Sequence, residues 1–176
     1  VGLLLLGLVS AAHADLTTGL VAYYPFDGNA SDMSGNGNHG TVNGATLGAD
    51  RHGGVGKAYS FDGGDDYIIM PHEDLAGLES GTFSAWVKLN RTDKYQSLIV
   101  VSQQNPPSIN EFMVEYYLGG FGAQHHKFVA TRQVNGTLGA LWGDNATNDT
   151  NWHHLAVIGR GSDADMKIYT DGLEHG

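Results

Sequence analysis

No segment between Asp15 and Gly176 sustains an apolar repeat at helical spacing. Short β-branched and aromatic runs recur instead, each cut off by Gly, Asn, Asp or Pro. In "GTFSAWVKLN" the alternation is strict: Phe83, Ala85, Val87 and Leu89 share one face, and Thr82, Ser84, Trp86 and Lys88 the other. "SLIVVS" (Ser97 to Ser102) is a continuous apolar run, which predicts a strand covered on both faces. "GLVAYYPFD" (Gly19 to Asp27), "KAYSFDG", "DYIIMP", "EFMVEYYL", "HKFVATR", "TLGALW", "NWHHLAVIGR" and "DMKIYTDG" bring the expectation to nine or ten strands. Gly63-Gly64-Asp65 predicts a hairpin-like break between two of them, and "EDLAG" (Glu73 to Gly77) at most a helical turn. With 26 glycines and 4 prolines in 176 residues, the chain reads as one all-β domain built as a two-sheet antiparallel sandwich. Asp171-Gly172 is a strong turn signal, and Leu173 to Gly176 looks too short to form its return strand. The last strands of the sandwich are therefore expected to be missing.

Nine Lys and Arg face 19 Asp and Glu, a formal charge of -10. Such a surface repels phosphate backbones, which argues against nucleic acid, while its carboxylates suit divalent cations. The start, "VGLLLLGLVSAAHA", is an apolar run too short to span a bilayer, and Ala12-His13-Ala14 fits a signal-peptidase site. Residues 1–14 are thus expected to be a partial signal peptide lacking its n-region, leaving an exported domain over 15–176 with no membrane insertion after cleavage. The chain has no cysteine, so thiolate metal sites and thiol nucleophiles are excluded and stability must come from the core or bound ions.

"DMSGNGNHG" (Asp32 to Gly40) suits neither helix nor strand. A phosphate cradle would need a following helix and usually a lysine, and "TVNGATLG" supplies neither. Two readings stand. Asp27, Asn29, Ser31, Asp32, Ser34, Asn36 and Asn38 offer the oxygen donors that calcium takes, although the EF-hand pattern is not met. Alternatively, Asp32 bonds the loop's own backbone while Gly35, Gly37 and Gly40 adopt left-handed turns. A second acidic cluster, Asp62, Asp65 and Asp66, reads as a solvated turn or a further cation site. The calcium candidates are Asp27, Asp32, Asn36 and Asp62, and calcium is the only cofactor expected.

Three ordered segments, "GLVAYYPFDGNASDMSGNGNHGTVNGA", "GKAYSFDGGDDYIIMP" with "GTFSAWVKL", and "NWHHLAVIGRGSDADMKIYTDG", resemble the laminin-G-like domains of the concanavalin A-like lectin/glucanase superfamily. The resemblance implies a jelly roll of two curved antiparallel sheets, with further strands after Gly172, one carrying an Asp-Glu pair. Adjacent histidines on such a strand, as at His153-His154, point to opposite faces and cannot chelate one metal, so they are expected to be packing residues.

The same superfamily includes glycoside hydrolases, whose paired carboxyls lie roughly 5–5.5 Å apart when the reaction retains configuration. Residues two apart on a strand supply that spacing, whereas Glu111 and Glu115 are four apart. No G-x-S-x-G elbow occurs either. The chain therefore reads as a non-catalytic binding module for a glycan, using aromatic faces and hydrogen-bonding groups. Trp142, Tyr117 and Trp86 are the ligand-binding candidates, with Tyr116 and the loop residues Gln103, Gln104, Asn105 and Asn145 beside them; Trp142 is expected on a loop. The alternative is a structural or adhesion domain contacting extracellular protein, or an accessory domain of a hydrolase, within a longer chain.

Overall fold

The computed structural model describes residues 17–71, 80–105, 108–117, 127–134, 137–143, 149–160 and 162–175. These contain twelve strands: β1 (Thr41–Asn43), β2 (Thr46–Ala49), β3 (Val55–Ser60), β4 (Tyr67–Ile69), β5 (Ser80–Lys88), β6 (Gln96–Asn105), β7 (Ser108–Tyr117), β8 (Lys127–Val134), β9 (Thr137–Trp142), β10 (Trp152–Arg160), β11 (Ser162–Thr170) and β12 (Leu173–His175). All pairings are antiparallel. Two four-stranded sheets, β12-β11-β10-β5 and β6-β7-β8-β9, carry the fold, and β1-β4 and β2-β3 form two smaller ribbons.

The core lies between the large sheets. Leu155 and Val157 of β10, Ile168 of β11 and Leu89 beyond β5 meet Val114 and Tyr116 of β7 and Phe128 and Ala130 of β8. Burying one such large apolar side chain contributes about 1.5–3 kcal/mol. The alternation read in β5 holds: Phe83 and Val87 pack on the core, while Trp86 remains 45% exposed.

Several expectations need correction. Gly19 to Asp27 is not a strand, because its backbone partners are loop groups, mostly side chains with the Met33 N–H on Tyr23 O, rather than a neighbouring strand. Tyr23 N–H donates to Asp32 Oδ1, and Leu20 and Val21 carbonyls accept from the amides of Asn36 and Asn38. Gly63-Gly64-Asp65 does not close a hairpin: β3 pairs with β2, and β4 returns to β1. β6 is an edge strand with one open face, so Val100 is 52% exposed despite its apolar run. A short return strand does follow Gly172, since Leu173, Glu174 and His175 pair with Thr170, Tyr169 and Ile168. Asp171 and Gly172 both take positive φ, 52° and 80°, as a type I′ turn requires. Glu73 to Gly77 lies outside the described residues.

Candidate functional site

The "DMSGNGNHG" loop is a self-satisfied turn cluster. Asp32 is 5% exposed, and each of its carboxylate oxygens accepts two hydrogen bonds. Tyr23 N–H and Ser34 N–H reach Oδ1 at 2.9 and 2.8 Å; Ser34 Oγ and Asn38 N–H reach Oδ2 at 2.8 and 3.0 Å. Burial opposes ionisation, but these bonds prevail and hold the Asp32 pKa down at about 2. A cation at Asp32 would have to displace an N–H or O–H donor. Asp32 N–H donates to His39 Nδ1 at 3.1 Å, so His39 carries its proton on Nε2. Gly35 and Gly37 take the expected left-handed backbone at φ 96° and 79°. Gly40 does not; a Cβ there would meet Ile68 Cγ2 at 2.9 Å and Ala30 Cβ at 3.0 Å, so the requirement is close approach.

The four calcium candidates are not gathered. Asp27 sits 3.6 Å from Lys57 Nζ in an exposed ion pair, and the Asn36 amide is bound to the Leu20 and Val21 carbonyls. Asp62 instead joins Asp65 and Asp66, with one ligand atom of each within 4.8 Å of the others. Two of their oxygens already accept backbone N–H groups, Gly64 to Asp62 Oδ1 and Asp62 to Asp66 Oδ2. Carboxylate oxygen is the donor type calcium takes, so this turn fits a cation better than Asp32 does.

The ligand-binding candidates separate into two groups. Tyr116 faces the core and is fully buried, which puts its neighbour Tyr117 on the outer face of β7. Trp142 ends β9 rather than lying on a loop, opposite Val129, and its ring meets Tyr117 edge to face at 5.0 Å and 89°. Tyr95 also meets Tyr117 edge to face, at 4.7 Å and 70°. The Tyr95 hydroxyl has a raised pKa, chiefly through its hydrogen bond to Tyr117. Tyr95 is 57% and Trp142 42% exposed and Tyr117 is half-buried, so the three rings form a ladder with two open members. Beside it Ser97 Oγ donates to Glu115 Oε1 at 3.0 Å. Sequence reasoning missed Tyr95, although the pairing of Gln96 with Tyr116 places it opposite Tyr117. The side chains of Gln103, Gln104, Asn105, Glu111 and Asn145 lie outside the described residues.

Trp86 belongs to the opposite large sheet. Its cross-strand neighbour is His154, with ring centroids 5.2 Å apart, and the Arg51 guanidinium lies 4.5 Å above the indole. His153 points the other way, toward Phe128, as alternation demands. It is clamped by two carboxylates, Asp171 Oδ2 at 2.8 Å on Nδ1 and Asp149 Oδ1 at 3.0 Å on Nε2. Burial alone would lower the His153 pKa; the bonds to Asp171 and Asp149 outweigh it and raise the value. The expectation of a packing histidine thus holds, with an ion-pair clamp that the sequence did not reveal.

No curated protein and no solved structure matches the chain. A laminin-G family model, described as concanavalin A-like lectin/glucanases superfamily, matches residues 62–176. Laminin-G-like domains are generally binding modules for glycans or proteins and are usually extracellular. The match spans β4 to β12 and both large sheets, and by it the chain belongs to the laminin-G-like domains of the concanavalin A-like lectin/glucanases superfamily.

Proposed function

We propose that this chain is an exported, non-catalytic module that binds glycans on the outer face of β6-β7-β8-β9. The ladder Tyr95–Tyr117–Trp142 carries this reading: three touching aromatic rings lie outside the core, Tyr95 and Trp142 exposed and Tyr117 half-buried. Sugar rings present apolar C–H faces that pack on such rings, while Glu115 and Ser97 supply hydrogen-bonding groups at the border. Calcium assistance is assigned to Asp62, Asp65 and Asp66 rather than to Asp32, whose oxygens are already saturated.

Calorimetric titration with a panel of neutral oligosaccharides tests the reading. Trp142→Ala is expected to weaken the tightest ligand at least tenfold, about 1.4 kcal/mol, without shifting the thermal midpoint by more than a few degrees. If no member of the panel binds, or if Trp142→Ala and Tyr117→Ala bind as the wild type does, the glycan reading fails. An adhesion role is the second reading. Leu47, Val55, Phe61, Tyr67 and Ile69 expose apolar surface along and beside the small ribbons, as protein-contact faces do.

A further inference from the structure

β6 and β7 form one antiparallel hairpin, closed by the Asn105–Ser108 pair and open at its other end, where Gln96 pairs with Tyr116. The chain has no cysteine, so no disulfide can tie that open end. β6 is also an edge strand of its sheet, and its register with β7 shifts between Ser97 and Ile99. One step beyond the Gln96–Tyr116 pair stand Tyr95 and Tyr117. Their rings meet at 4.7 Å between centroids and 70°, and the Tyr95 hydroxyl is hydrogen-bonded to Tyr117. The chain has eight tyrosines, and among the described residues no other two of them touch ring to ring.

Two phenols held in contact are placed for a reaction that separate tyrosines undergo only on collision. One-electron oxidation takes an electron and a proton from each hydroxyl and leaves two phenoxyl radicals. Part of the unpaired density lies on the carbon ortho to each oxygen, so a carbon–carbon bond forms between two ortho positions. The hydrogen on each of those carbons then moves to its oxygen as the rings regain aromaticity. The product is a biaryl with both hydroxyls intact, two hydrogens lighter than the separate rings. Hydrogen peroxide takes up the two electrons and two protons and leaves as two waters. Proximity supplies the selectivity, because coupling within one chain replaces an encounter between two chains. Tyr95 is 57% exposed, which lets an oxidant reach the first ring, and the half-buried Tyr117 is already in contact with it.

We propose that Tyr95 and Tyr117 are an oxidative cross-linking site, at which a peroxide-driven oxidant joins the two rings into a dityrosine that staples the open end of the β6–β7 hairpin. The bond closes residues 95–117 into a covalent loop, and such a loop removes conformations from the unfolded chain as a disulfide does. It spans the two strands where their ladder stops, beyond the register shift at Ser97 and Ile99. The inference goes beyond the glycan reading: it uses two of the same rings but no sugar, and its outcome is measured without one.

The test is treatment of the whole chain, dilute and without ligand, with a peroxidase and hydrogen peroxide. The expected product is a monomer that shows dityrosine fluorescence, is two hydrogens lighter, and on digestion yields two peptides joined through Tyr95 and Tyr117. Tyr95→Phe and Tyr117→Phe keep both rings and are each expected to lower the dityrosine yield of the monomer at least tenfold. Tyr67→Phe, which removes a 50% exposed phenol from β4, is expected to leave that yield unchanged. The cross-linked monomer is expected to melt at least a few degrees above the untreated chain. Absence of dityrosine, dityrosine confined to covalent dimers, or a monomer yield in Tyr95→Phe equal to that of the wild type overturns the proposal. A cross-linked monomer that melts with the untreated chain overturns it as a staple.

Discussion

At Asp32 one carboxylate does the work of a missing strand neighbour, taking up the Tyr23 N–H while the amides of Asn36 and Asn38 hold the Leu20 and Val21 carbonyls. Asp32→Ala leaves four donors without their acceptor and is expected to destabilise the domain by about 3 kcal/mol, read as a lower urea midpoint. Asp32→Asn keeps the shape but turns an amide toward two donors, with an expected cost of about 2 kcal/mol. The folded pKa of about 2 lies below the ordinary 3.8, so the contribution of Asp32 is present above pH 3.8 and fades as pH falls toward 2. His153 has the opposite sign. Its raised pKa means that its clamp stabilises fully below the ordinary 6.5 and weakens as pH rises through the higher folded value. Asp149 is lowered chiefly by Asn151 N–H; Asp171 is lowered by its bonds to His153 and His154 N–H despite opposing burial. Both carboxylates add stability above 3.8 that is lost in acid. His153→Gln should therefore flatten the decline in thermal midpoint as pH rises above 6.5. An unchanged slope would mean that His153 is not the group titrating there.

At the scale of elements, period-2 patterning was legible in β5, one face of which is buried. There Phe83, Val87 and Leu89 meet the core, while Trp86 between them on the other face stays exposed. The Asp171-Gly172 turn was equally legible, since two consecutive positive-φ residues admit few sequences. Gly172→Ala forces a Cβ into φ 80° and is expected to cost about 1 kcal/mol, lowering the thermal midpoint by a few degrees. Gly19 to Asp27 was misread because β propensity reports a pleated, half-buried environment, and loop side chains can provide one without a ladder. Phe26 at φ 54° is the local mark of that irregular path, its ring stacked on Tyr24 and edge to face with Tyr59. The Asp171 side chain extends the reach of its turn back to β10, bonding His154 N–H at 2.9 Å.

Across the molecule, the two large sheets turn different chemistries outward: a ladder of three aromatic rings on one, and Arg51, Trp86 and Lys88 on the other. Addition of calcium should raise the thermal midpoint through Asp62, Asp65 and Asp66. Asp65→Asn is expected to abolish that rise, and Asp32→Asn to leave it intact on a lower baseline. A rise lost equally in both variants would couple the two loops.

The sequence by itself determined the all-β class, the two alternating faces of β5, the final turn, and the opposed directions of His153 and His154. Those features depend on residues one or two positions apart, and alternation encodes them locally. Tertiary structure decided what lies across the strands: Tyr95 beside Tyr117, Arg51 over Trp86, and His153 between Asp149 and Asp171. Each of these contacts is set by strand register or by the docking of a distant turn, and neither leaves a periodic signal in the chain. For the same reason the oxygen-rich loop around Asp32 kept two readings open in the sequence. Its composition was visible there, but only the fold showed that its oxygens face its own backbone.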